Sequence, residues 1–583
     1  MKKLVSRFMA VLMAMAMVLS MSMTAFAAEA PKGTLTVNNT VAGKTLDLYQ
    51  IFTATKSGEN VAYTLNSAYE GFFQSKIADA SALTGEALSE KAYAYVNEQV
   101  GTNGDAETAK TFAKDMLGWI LDSKNNITAT KTVETTASST QISDLAYGYY
   151  LVYPKGATDT STAPGNQTYT SAASLVSITA EAATINMKSN YPTVDKKIIP
   201  AQSGSGITVG AIVDGSWEGN HQMELDDEND PEDTIAPHGA ADEKKAGDFG
   251  IGDTITYQLT SKVPDMTGYN SYTFKFSDTL SKGLDLKEVL SVKVGNTTLK
   301  AGKTGTNTYA LTYDETSRNL TVTLNDFYNS YKDREGETIT VVYTATLNKD
   351  AVIGMNPNTN KAVVEYSNDP KSDGTGTSEP SIVKVNTFDF TIFKYYLKDQ
   401  NNQNNKTALA GAEFELYKAN TAGEAADPNG KINIVDETNG VYRQATPEEA
   451  SAAGFTSAKI VSDDDGKVLV KGLKSGTYYL KETKAPDGYN KLLSDIKIEI
   501  TASYNEATGE LESYSVIYTY NGKPVTVTNN DQATSPEVPV ENKTGVQLPS
   551  TGSKGALMVT LAGIVLFGVL TASKAFGKKK AKN

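Results

Sequence analysis

The sequence predicts a mainly β protein, with two consecutive β-sandwiches preceded by an α+β domain. Alternating apolar and polar residues dominate the chain after residue 190, whereas three- and four-residue apolar spacing is confined to the stretch before it. The composition includes 46 glycines and 31 tyrosines and favours strands and turns. A chain of 583 residues is long enough for roughly three or four domains.

The residue types that are missing exclude several classes of function. The chain has no cysteine and only two histidines, His221 and His238. Thiol catalysis, disulfides and thiolate metal sites are therefore excluded. Two histidines also leave very few residues from which a Ser–His–Asp site or a histidine zinc site could be formed. We expect no cofactor, no bound metal and no enzymatic activity toward other molecules. The net charge of -14 argues against nucleic-acid binding.

The first element is a secretion signal at residues 1–27. A positively charged start, MKKLVSRF, precedes an apolar run and a small-residue stop, and cleavage is expected after Ala27 or Ala28. The mature chain is therefore predicted to be secreted.

The second element, residues 28–190, is predicted to be the α+β domain. It begins with the strand-like GTLTVNNTVAGKTLDLYQIF and continues through two amphipathic helices, EALSEKAYAYVNEQV and AETAKTFAKDMLGWILDSK. It returns to strands in YGYYLVYP and SLVSITAEAATINMK.

Two predicted sandwiches follow, at residues 191–385 and 386–532. Strands such as DTITYQLTSKV, SYTFKFSDTL and ETITVVYTATL indicate the first, and FTIFKYYL, GTYYLKE and PVTVTN indicate the second. An acidic insertion around 224–233 is interpreted as a solvated loop, with a cation site as the alternative. Residues 533–547 are predicted to be a proline-containing linker.

Three segments in a fixed order end the chain. The pentapeptide LPSTG comprises Leu548, Pro549, Ser550, Thr551 and Gly552. A hydrophobic segment at 553–576 is long enough to span a bilayer, and the basic tail 577–583 would stay in the cytoplasm. This order resembles the LPXTG cell-wall sorting signal of Gram-positive surface proteins. The resemblance implies that a sortase cuts between Thr551 and Gly552 and passes the threonine acyl group to an amine.

Three strands of the C-terminal sandwich each place a polar group at the end of an inward-facing apolar series. Alternation puts Lys394 in line with buried neighbours in FDFTIFKYYL, Glu482 in GTYYLKE and Asn529 in PVTVTNN. Desolvation favours the neutral form of a buried amine and of a buried carboxylic acid. A neutral lysine can attack an amide that a carboxyl group polarises, and loss of ammonia would leave a Lys–Asn isopeptide bond. Held positioning supplies an effective molarity on the order of 10⁵ M or more.

A family resemblance supports this interpretation. The segment YYLKETKAPDGY resembles the E-box, YxLxETxAPxGY, of CnaB-type domains in sortase-assembled pilins. The resemblance implies that Lys394 and Asn529 form the bond with Glu482 assisting, and Asn530 is the alternative if the strand register shifts by one residue.

The middle domain shows a looser version of the same pattern. PTVDKKI, SYTFKFSDTL and NKAVVEYSN indicate Lys196, Asp278 and Asn360, in that order. Similarity to the second domain of backbone pilins, an immunoglobulin-like sandwich of the CnaA kind, implies that the aspartate assists. Lys197 and Asn368 remain open alternatives to the lysine and the asparagine.

The amine that receives Thr551 is expected near the junction of the first two domains. Lys188 is favoured by its position just before the middle domain. Lys155 is the alternative, because LVYPK matches the VYPK letters of the family's pilin motif although the upstream tryptophan is missing.

Together these features resemble a major, or backbone, pilin of Gram-positive sortase-assembled pili. The implied partners are pilin-specific and housekeeping sortases, identical subunits, peptidoglycan and possible minor pilins or host receptors, and the implied location is the cell wall. The alternative is a monomeric wall-anchored adhesin that binds host matrix or glycan.

Overall fold

The structure is a computed structural model in which the described sheets form three groups along the chain. Among the described residues, no helix is both long enough and apolar enough to cross a membrane. The predicted signal peptide, acidic insertion, sorting motif, hydrophobic segment and basic tail lie outside the described residues. The described residues are 31–100, 106–158, 172–187, 191–202, 205–218, 245–505, 508–520 and 522–544.

The N-terminal group combines two sheets with three α-helices. One sheet has the order β5-β1-β8, and the other has the order β3-β2-β6-β7 with β4 beside β2. The strands are β1 Lys32–Asn38, β2 Thr45–Ser57, β3 Asn60–Leu65, β4 Lys131–Glu134, β5 Ser139–Ala146, β6 Gly148–Pro154, β7 Ser174–Ile178 and β8 Ala182–Asn186. The α-helices are Glu70–Lys76, Gly85–Val100 and Ala106–Leu121, and short 3-10 helices occur at Ser67–Tyr69 and Ser123–Asn125.

Two apolar cores hold this domain together. One core lies between the sheets and includes Leu35, Leu48 and Val152. The other packs the helices on the larger sheet and includes Phe73 and Met116. The predicted α+β class is confirmed, and the helix Glu70–Lys76 is an addition that the sequence analysis did not anticipate.

The middle group is a sandwich of two large sheets. A six-stranded sheet has the order β10-β14-β19-β12-β9 with β15 beside β14, and an eight-stranded sheet has the order β11-β22-β20-β13-β18-β17-β16 with β21 beside β20. The strands are β9 Asp195–Ile199, β10 Ile207–Thr208, β11 Ala246–Asp248, β12 Thr254–Lys262, β13 Phe274–Leu280, β14 Leu284–Val294, β15 Thr297–Thr298, β16 Lys300–Ala301, β17 Thr308–Asp314, β18 Asn319–Leu324, β19 Thr338–Leu347, β20 Asn358–Ser367, β21 Thr375–Thr377 and β22 Ser381–Asn386. Short helices lie at Val209–Asp214 and Phe327–Tyr331.

Alternation along the strands determines what faces the core of this sandwich. In β20, Asn360, Ala362, Val364 and Tyr366 are buried and lie on one face, as the period of two requires. The apolar members of this row join one large cluster that receives side chains from both sheets. Asn360 therefore lies in a core-facing row and is shielded from solvent.

The C-terminal group is a second sandwich. Its sheets have the orders β24-β23-β30-β28-β27, with β35 beside β23, and β26-β25-β31-β32-β33-β34, with β29 beside β25. The strands are β23 Phe388–Leu397, β24 Lys406–Ala408, β25 Glu413–Ala419, β26 Ala426–Lys431, β27 Ile434–Asp436, β28 Val441–Gln444, β29 Ile460–Val461, β30 Lys467–Leu473, β31 Gly476–Lys484, β32 Ile496–Tyr504, β33 Leu511–Tyr520, β34 Lys523–Asn529 and β35 Glu537–Glu541. A short helix, Pro447–Ser451, begins with a capping box.

The predicted end of this domain at residue 532 was wrong. Residues 537–541, assigned to the linker from sequence, form β35, which pairs in parallel with β23. Val538 and Val540 of β35 are buried in the core cluster of the sandwich. Pro539 is compatible with this strand because β35 pairs on one side only, and an edge strand tolerates a residue without an N–H.

The middle and C-terminal sandwiches join without a spacer. β22 ends at Asn386 and β23 begins at Phe388, so only Thr387, which is fully buried, separates them. Loop 248–253 of the middle domain fastens the joint, because the Ile251 N–H donates to the carbonyl oxygen of Gly472 at 2.9 Å. Gly472 has a φ of +83°, and a Cβ there would lie 2.6 Å from Ile251 Cδ1. This approach therefore requires glycine.

Candidate functional site: two buried lysine–carboxylate–amide clusters

The first cluster lies inside the middle sandwich. β9 supplies Lys196, β13 supplies Asp278 and β20 supplies Asn360, and each of the three is at most 1 % exposed. β13 and β20 are adjacent antiparallel strands, with Leu280 opposite Asn360. The cluster therefore spans the two sheets, with the lysine on one and the acid and the amide on the other.

Hydrogen bonds join these groups through a tyrosine that the sequence analysis did not single out. The Lys196 ammonium donates to Asp278 and also to the hydroxyl of Tyr343, at 2.5 Å for the latter. The Tyr343 hydroxyl donates to Asp278 Oδ2 at 2.8 Å and accepts from Asn360 Nδ2 at 2.7 Å. Alternation in ETITVVYTATL would have placed Tyr343 on the inward face, but a tyrosine in a core row is ordinarily packing alone.

The two open alternatives in the middle domain lie elsewhere. Lys197 points away from the core, is 31 % exposed at its side chain and pairs with Asp195 at 3.3 Å. Asn368 follows β20 and donates to the carbonyl oxygen of Thr375 at 2.9 Å. The structure thus brings Lys196, rather than Lys197, and Asn360, rather than Asn368, to the carboxylate.

The second cluster lies in the C-terminal sandwich and contains two of the three predicted residues. Lys394 on β23 and Glu482 on β31 face each other across the core, with 3.0 Å between Nζ and Oε1 and no exposed side-chain surface on either residue. Glu482 Oε2 also accepts the backbone N–H of Leu492 at 2.8 Å.

The amide of the second cluster is Asn542, not the predicted Asn529. Asn542 follows β35, is 1 % exposed and donates from Nδ2 to Glu482 Oε2 at 3.2 Å. Its backbone N–H donates to the carbonyl oxygen of Tyr395 at 2.9 Å, next to Lys394. The Glu482 carboxyl group therefore touches the lysine with one oxygen and the amide with the other.

Asn529 lies away from Lys394 because β34 is an edge strand of the opposite sheet. Its Nδ2 donates to the Tyr514 hydroxyl at 3.1 Å, and Tyr514 in turn donates to Asp389, near the start of β23 and five residues before Lys394. The predicted inward apolar row of β34 is also wrong, since Val525 is 43 % exposed. The alternative, Asn530, is exposed.

The sequence did carry a signal for Asn542. VPVEN places Val538, Val540 and Asn542 on one face by the same alternation that indicated Lys394. Prolines at 536 and 539 favoured a linker interpretation over a strand. Proline argues against a strand in the interior of a sheet, but it is tolerated in an edge strand such as β35.

Burial changes the electrostatics of both lysines in the same direction. Desolvation lowers the pKa of Lys196 to about 8, against the opposing attraction of Asp278. Desolvation likewise lowers the pKa of Lys394 to about 8, against the opposing attraction of Glu482. Removing an ammonium from water costs several kcal/mol even when it is paired. Each site therefore holds an amine whose neutral, nucleophilic form is populated near physiological pH.

Unsatisfied polar atoms remain in both clusters. Asp278 Oδ1, Asn360 Oδ1 and Asn542 Oδ1 are buried and have no hydrogen-bond partner within the described part of the chain. A buried polar atom without a partner costs roughly 1–3 kcal/mol. Each cluster is therefore energetically unfavourable as long as its three side chains remain separate. Replacing the buried ion pair by a neutral amide would remove the cost of burying the charges.

The two candidate acceptor lysines fall differently in the structure. Lys188 lies outside the described residues. Lys155 follows β6 at the junction of the first two domains, with Nζ 3.2 Å from Asp369 Oδ2 and 3.5 Å from Asp47 Oδ2. Burial lowers its pKa, but the two carboxylates outweigh burial and leave the pKa raised.

Two family models match this chain. Residues 251–370 match the Gram-positive pilin backbone subunit 2, Cna-B-like domain. Residues 396–514 match the SpaA prealbumin-like fold domain. The first match contains Asp278, Tyr343 and Asn360, and the second contains Glu482.

Two curated relatives are similar over part of their length. The trypsin-resistant surface T6 protein of Streptococcus pyogenes serotype M6 is 25 % identical over 315 residues, which are 50 % of this chain and 50 % of that protein. The fimbrial subunit type 2 of Actinomyces naeslundii is 25 % identical over 350 residues, which are 57 % of this chain and 58 % of that protein. The chain thus spans about half the length of the curated relatives it matches.

Among solved structures, the T6 backbone pilin of Streptococcus pyogenes aligns with a TM-score of 0.43 and 16 % identity, covering 89 % of this chain and 100 % of that one. The Corynebacterium diphtheriae major pilin SpaA aligns with a TM-score of 0.39 and 13 % identity, covering 88 % of this chain and 100 % of that one.

Proposed function

We propose that this chain, whose residues 251–370 match a Gram-positive pilin backbone domain and whose residues 396–514 match the SpaA prealbumin-like fold domain, is the major structural subunit of a covalently polymerised pilus anchored to the cell wall. The observation that carries the proposal is the pair of buried clusters, Lys196–Asp278–Asn360 and Lys394–Glu482–Asn542, one in each of two consecutive sandwiches. Such clusters have no evident use in a binding module. They suit a protein that must resist unfolding.

The reaction proposed at each cluster is self-directed isopeptide formation. The neutral lysine amine attacks the amide carbon of the asparagine, the carboxyl group carries the proton from the lysine nitrogen to the amide nitrogen, and ammonia leaves. The product is an uncharged amide, so the cost of burying an ammonium disappears. Unfolding beyond such a bond would require breaking a covalent link, which makes the fold kinetically resistant.

In the middle domain the proposed bond joins the two sheets, from β9 to β20. In the C-terminal domain it joins neighbouring strands of one sheet, from β23 to the residue after β35. In the middle domain the last strand, β22, therefore follows the crosslinked residues in sequence. In the C-terminal domain the crosslinked asparagine directly follows the last strand, β35.

Polymerisation is proposed to proceed through the sorting motif. A sortase would cleave between Thr551 and Gly552 and transfer the acyl group to a lysine of the next subunit, and a final transfer would attach the polymer to peptidoglycan. Lys155 is supported by its place at the junction of the N-terminal and middle domains. Lys188 remains the other candidate for the acceptor lysine. Host receptors and minor pilins are proposed as partners because the chain resembles backbone pilins.

Mass spectrometry of the purified full chain tests the crosslinks. We expect the intact mass to be lower than the sequence requires by two molecules of ammonia in addition to any processing, with Glu482→Ala and Asp278→Ala each restoring one. A wild-type chain without any ammonia loss would contradict the crosslinking proposal.

Wall extracts of the native host test polymerisation. The wild-type chain should give a ladder of covalent multimers that resists boiling in detergent. Thr551→Ala should abolish the ladder, and one of Lys155→Arg and Lys188→Arg should abolish it while the other leaves it intact. A single wall-bound species from the wild type would instead favour a monomeric adhesin.

A further inference from the structure

The hydroxyl of Tyr343 makes three hydrogen bonds inside the middle cluster. It donates one to Asp278 and accepts one each from Lys196 and Asn360, at 2.8, 2.5 and 2.7 Å. A hydroxyl group has one donor and two acceptor positions, so these three bonds saturate it. Every group with which it bonds takes part in the proposed crosslink.

The two clusters differ in how the carboxyl group is connected to the asparagine amide. Glu482 reaches the lysine with Oε1 at 3.0 Å and the amide of Asn542 with Oε2 at 3.2 Å, so one carboxyl group bridges both reactants. Asp278 has one methylene fewer, and it makes no hydrogen bond with Asn360 among the described contacts. Tyr343 occupies this gap between the carboxylate and the amide.

The surroundings of Tyr343 hold its hydroxyl in place. Its ring is fully buried and stacks on Tyr257, with ring centroids 5.3 Å apart and planes 23° from parallel. Both residues are directly opposite in the β12–β19 ladder. The Lys196 ammonium lies 5.0 Å from the centroid of each ring. Little freedom is left for the hydroxyl to leave the cluster.

We propose that Tyr343 is a catalytic residue of the middle-domain crosslink, and that its hydroxyl relays a proton from Asp278 to the departing amide nitrogen of Asn360. The proposal rests on the crosslinking function proposed above. Asp278 and Tyr343 together would do what Glu482 does alone in the C-terminal domain.

The relay balances without any outside reagent. The bond between Lys196 Nζ and the amide carbon of Asn360 forms, and the bond from that carbon to Nδ2 breaks. The Lys196 ammonium first gives one proton to the Asp278 carboxylate and becomes a neutral amine. As this amine attacks, the Asp278–Tyr343 hydrogen bond reverses, the tyrosine proton passes to Nδ2, which departs as ammonia, and the second lysine proton returns to Asp278. Tyr343 recovers its proton from Asp278.

The titration behaviour of the phenol agrees with a neutral relay. Burial, and secondarily the charge of Asp278, raises the pKa of Tyr343 well above its ordinary value. The hydroxyl therefore keeps its proton when it is not passing it on.

Tyr343→Phe in the full chain tests the proposal, with peptide mapping over time after synthesis. We expect the crosslinked peptide that joins Lys196 to Asn360 to form about 10²-fold more slowly, which is the usual contribution of a general acid–base group. The crosslink at Lys394 should form as in the wild type, which provides an internal control.

Two further variants separate chemistry from packing. Tyr331→Phe removes another fully buried hydroxyl of the same core, one without a hydrogen-bond partner in the described part of the chain, and should leave the middle crosslink unaffected. Adding Asp278→Glu to Tyr343→Phe lengthens the acid by one methylene, so it should reach Asn360 directly and restore at least a tenth of the wild-type rate.

The proposal is overturned if Tyr343→Phe crosslinks the middle domain at the wild-type rate. It is also overturned if that variant loses both the crosslink and protease resistance of the middle domain and Asp278→Glu does not restore them. A wild-type chain without any middle crosslink would instead defeat the function proposed above.

Discussion

At the scale of single residues, the position of an amide in the fold matters more than its position in the sequence pattern. Asn529 is the last residue of β34 and Asn542 directly follows β35, and both are nearly fully buried. Only Asn542 meets Glu482, because β35 lies beside β23 whereas β34 lies at the edge of the other sheet. An asparagine at a strand end thus becomes a candidate reactant only when the fold brings its amide to the carboxyl group that the lysine meets.

This difference gives a direct mutational prediction. Asn542→Ala should abolish the C-terminal crosslink, whereas Asn529→Ala should leave it complete and cost only the hydrogen bonds with Tyr514, Thr534 and the Asp531 N–H, about 1–3 kcal/mol of the free energy of unfolding. Peptide mapping of the two variants provides the measurement. A crosslink that survives Asn542→Ala would show that another amide is used.

A pH dependence follows from the lowered pKa of Lys394 in a chain that cannot crosslink there. In Asn542→Ala, folded and unfolded chains both hold the lysine proton below about pH 8, so the full cost of burying the ammonium is present. Between about 8 and 10.5 the folded chain loses that proton while the unfolded chain keeps it. The free energy of unfolding of the C-terminal domain should therefore rise with pH across this window.

Denaturant titrations at several pH values measure this rise. The control is Lys394→Met in the same Asn542→Ala background, which removes the titrating group. The difference in stability between the two variants should shrink as the pH increases. A difference that stays constant from pH 7 to 10 would contradict the assignment.

The residue scale also shows where sequence reasoning reaches its limit. Alternation indicated Lys196, Asp278 and Asn360 with Lys197 and Asn368 left open, because polar groups in core-facing rows are rare and each one stands out. It did not indicate Tyr343, because a tyrosine belongs in such a row whether or not its hydroxyl is used. The missing information was which side chains meet across the two sheets, and that depends on the packing of strands distant in sequence.

At the scale of elements, β35 shows how a strand can be hidden by composition. Its flanking prolines and polar residues resemble a linker, yet Val538 and Val540 are at most 2 % exposed. The strand exists because β23 offers a free edge and the core offers space for two valines. The two long α-helices of the first domain, Gly85–Val100 and Ala106–Leu121, were in contrast predictable because each carries its own apolar period over several turns.

Truncation tests the contribution of β35. A chain ending at residue 532 should lose the C-terminal crosslink and the burial of both valines, the latter worth about 3–6 kcal/mol. A chain ending at residue 547 should retain both. Thermal unfolding of the C-terminal domain and peptide mapping provide the comparison, and equal melting temperatures for the two chains would mean that β35 does not belong to the domain.

At the scale of the whole molecule, polar contacts lock the middle and C-terminal sandwiches together. Asp248 accepts from the Ser475 backbone N–H at 2.6 Å and from its hydroxyl at 2.5 Å. The Gln532 amide donates to the carbonyl oxygen of Ile353 at 2.7 Å and accepts the backbone N–H of Asn356 at 2.7 Å. These contacts lie on two different loops of the C-terminal domain, so they restrain both tilt and rotation.

We therefore expect Asp248→Ala combined with Gln532→Ala to loosen the joint without unfolding either domain. Small-angle X-ray scattering should show a broader distribution of interdomain distances than the wild type shows. Both crosslinks should still form, because neither contact touches a cluster. An unchanged distribution would assign the stiffness of the joint to its remaining contacts, such as the Ile251–Gly472 hydrogen bond, and to the short connection through Thr387.

The single residue between β22 and β23 has a consequence for how a filament of such molecules could curve. A hinge needs several backbone torsions that can change together, and Thr387 offers two, both enclosed by protein. In the filament proposed above, flexing would then be expected at the seam between the first and second domains or where one molecule meets the next. Two-thirds of each repeat would swing as one stiff rod, with curvature gathered at its ends.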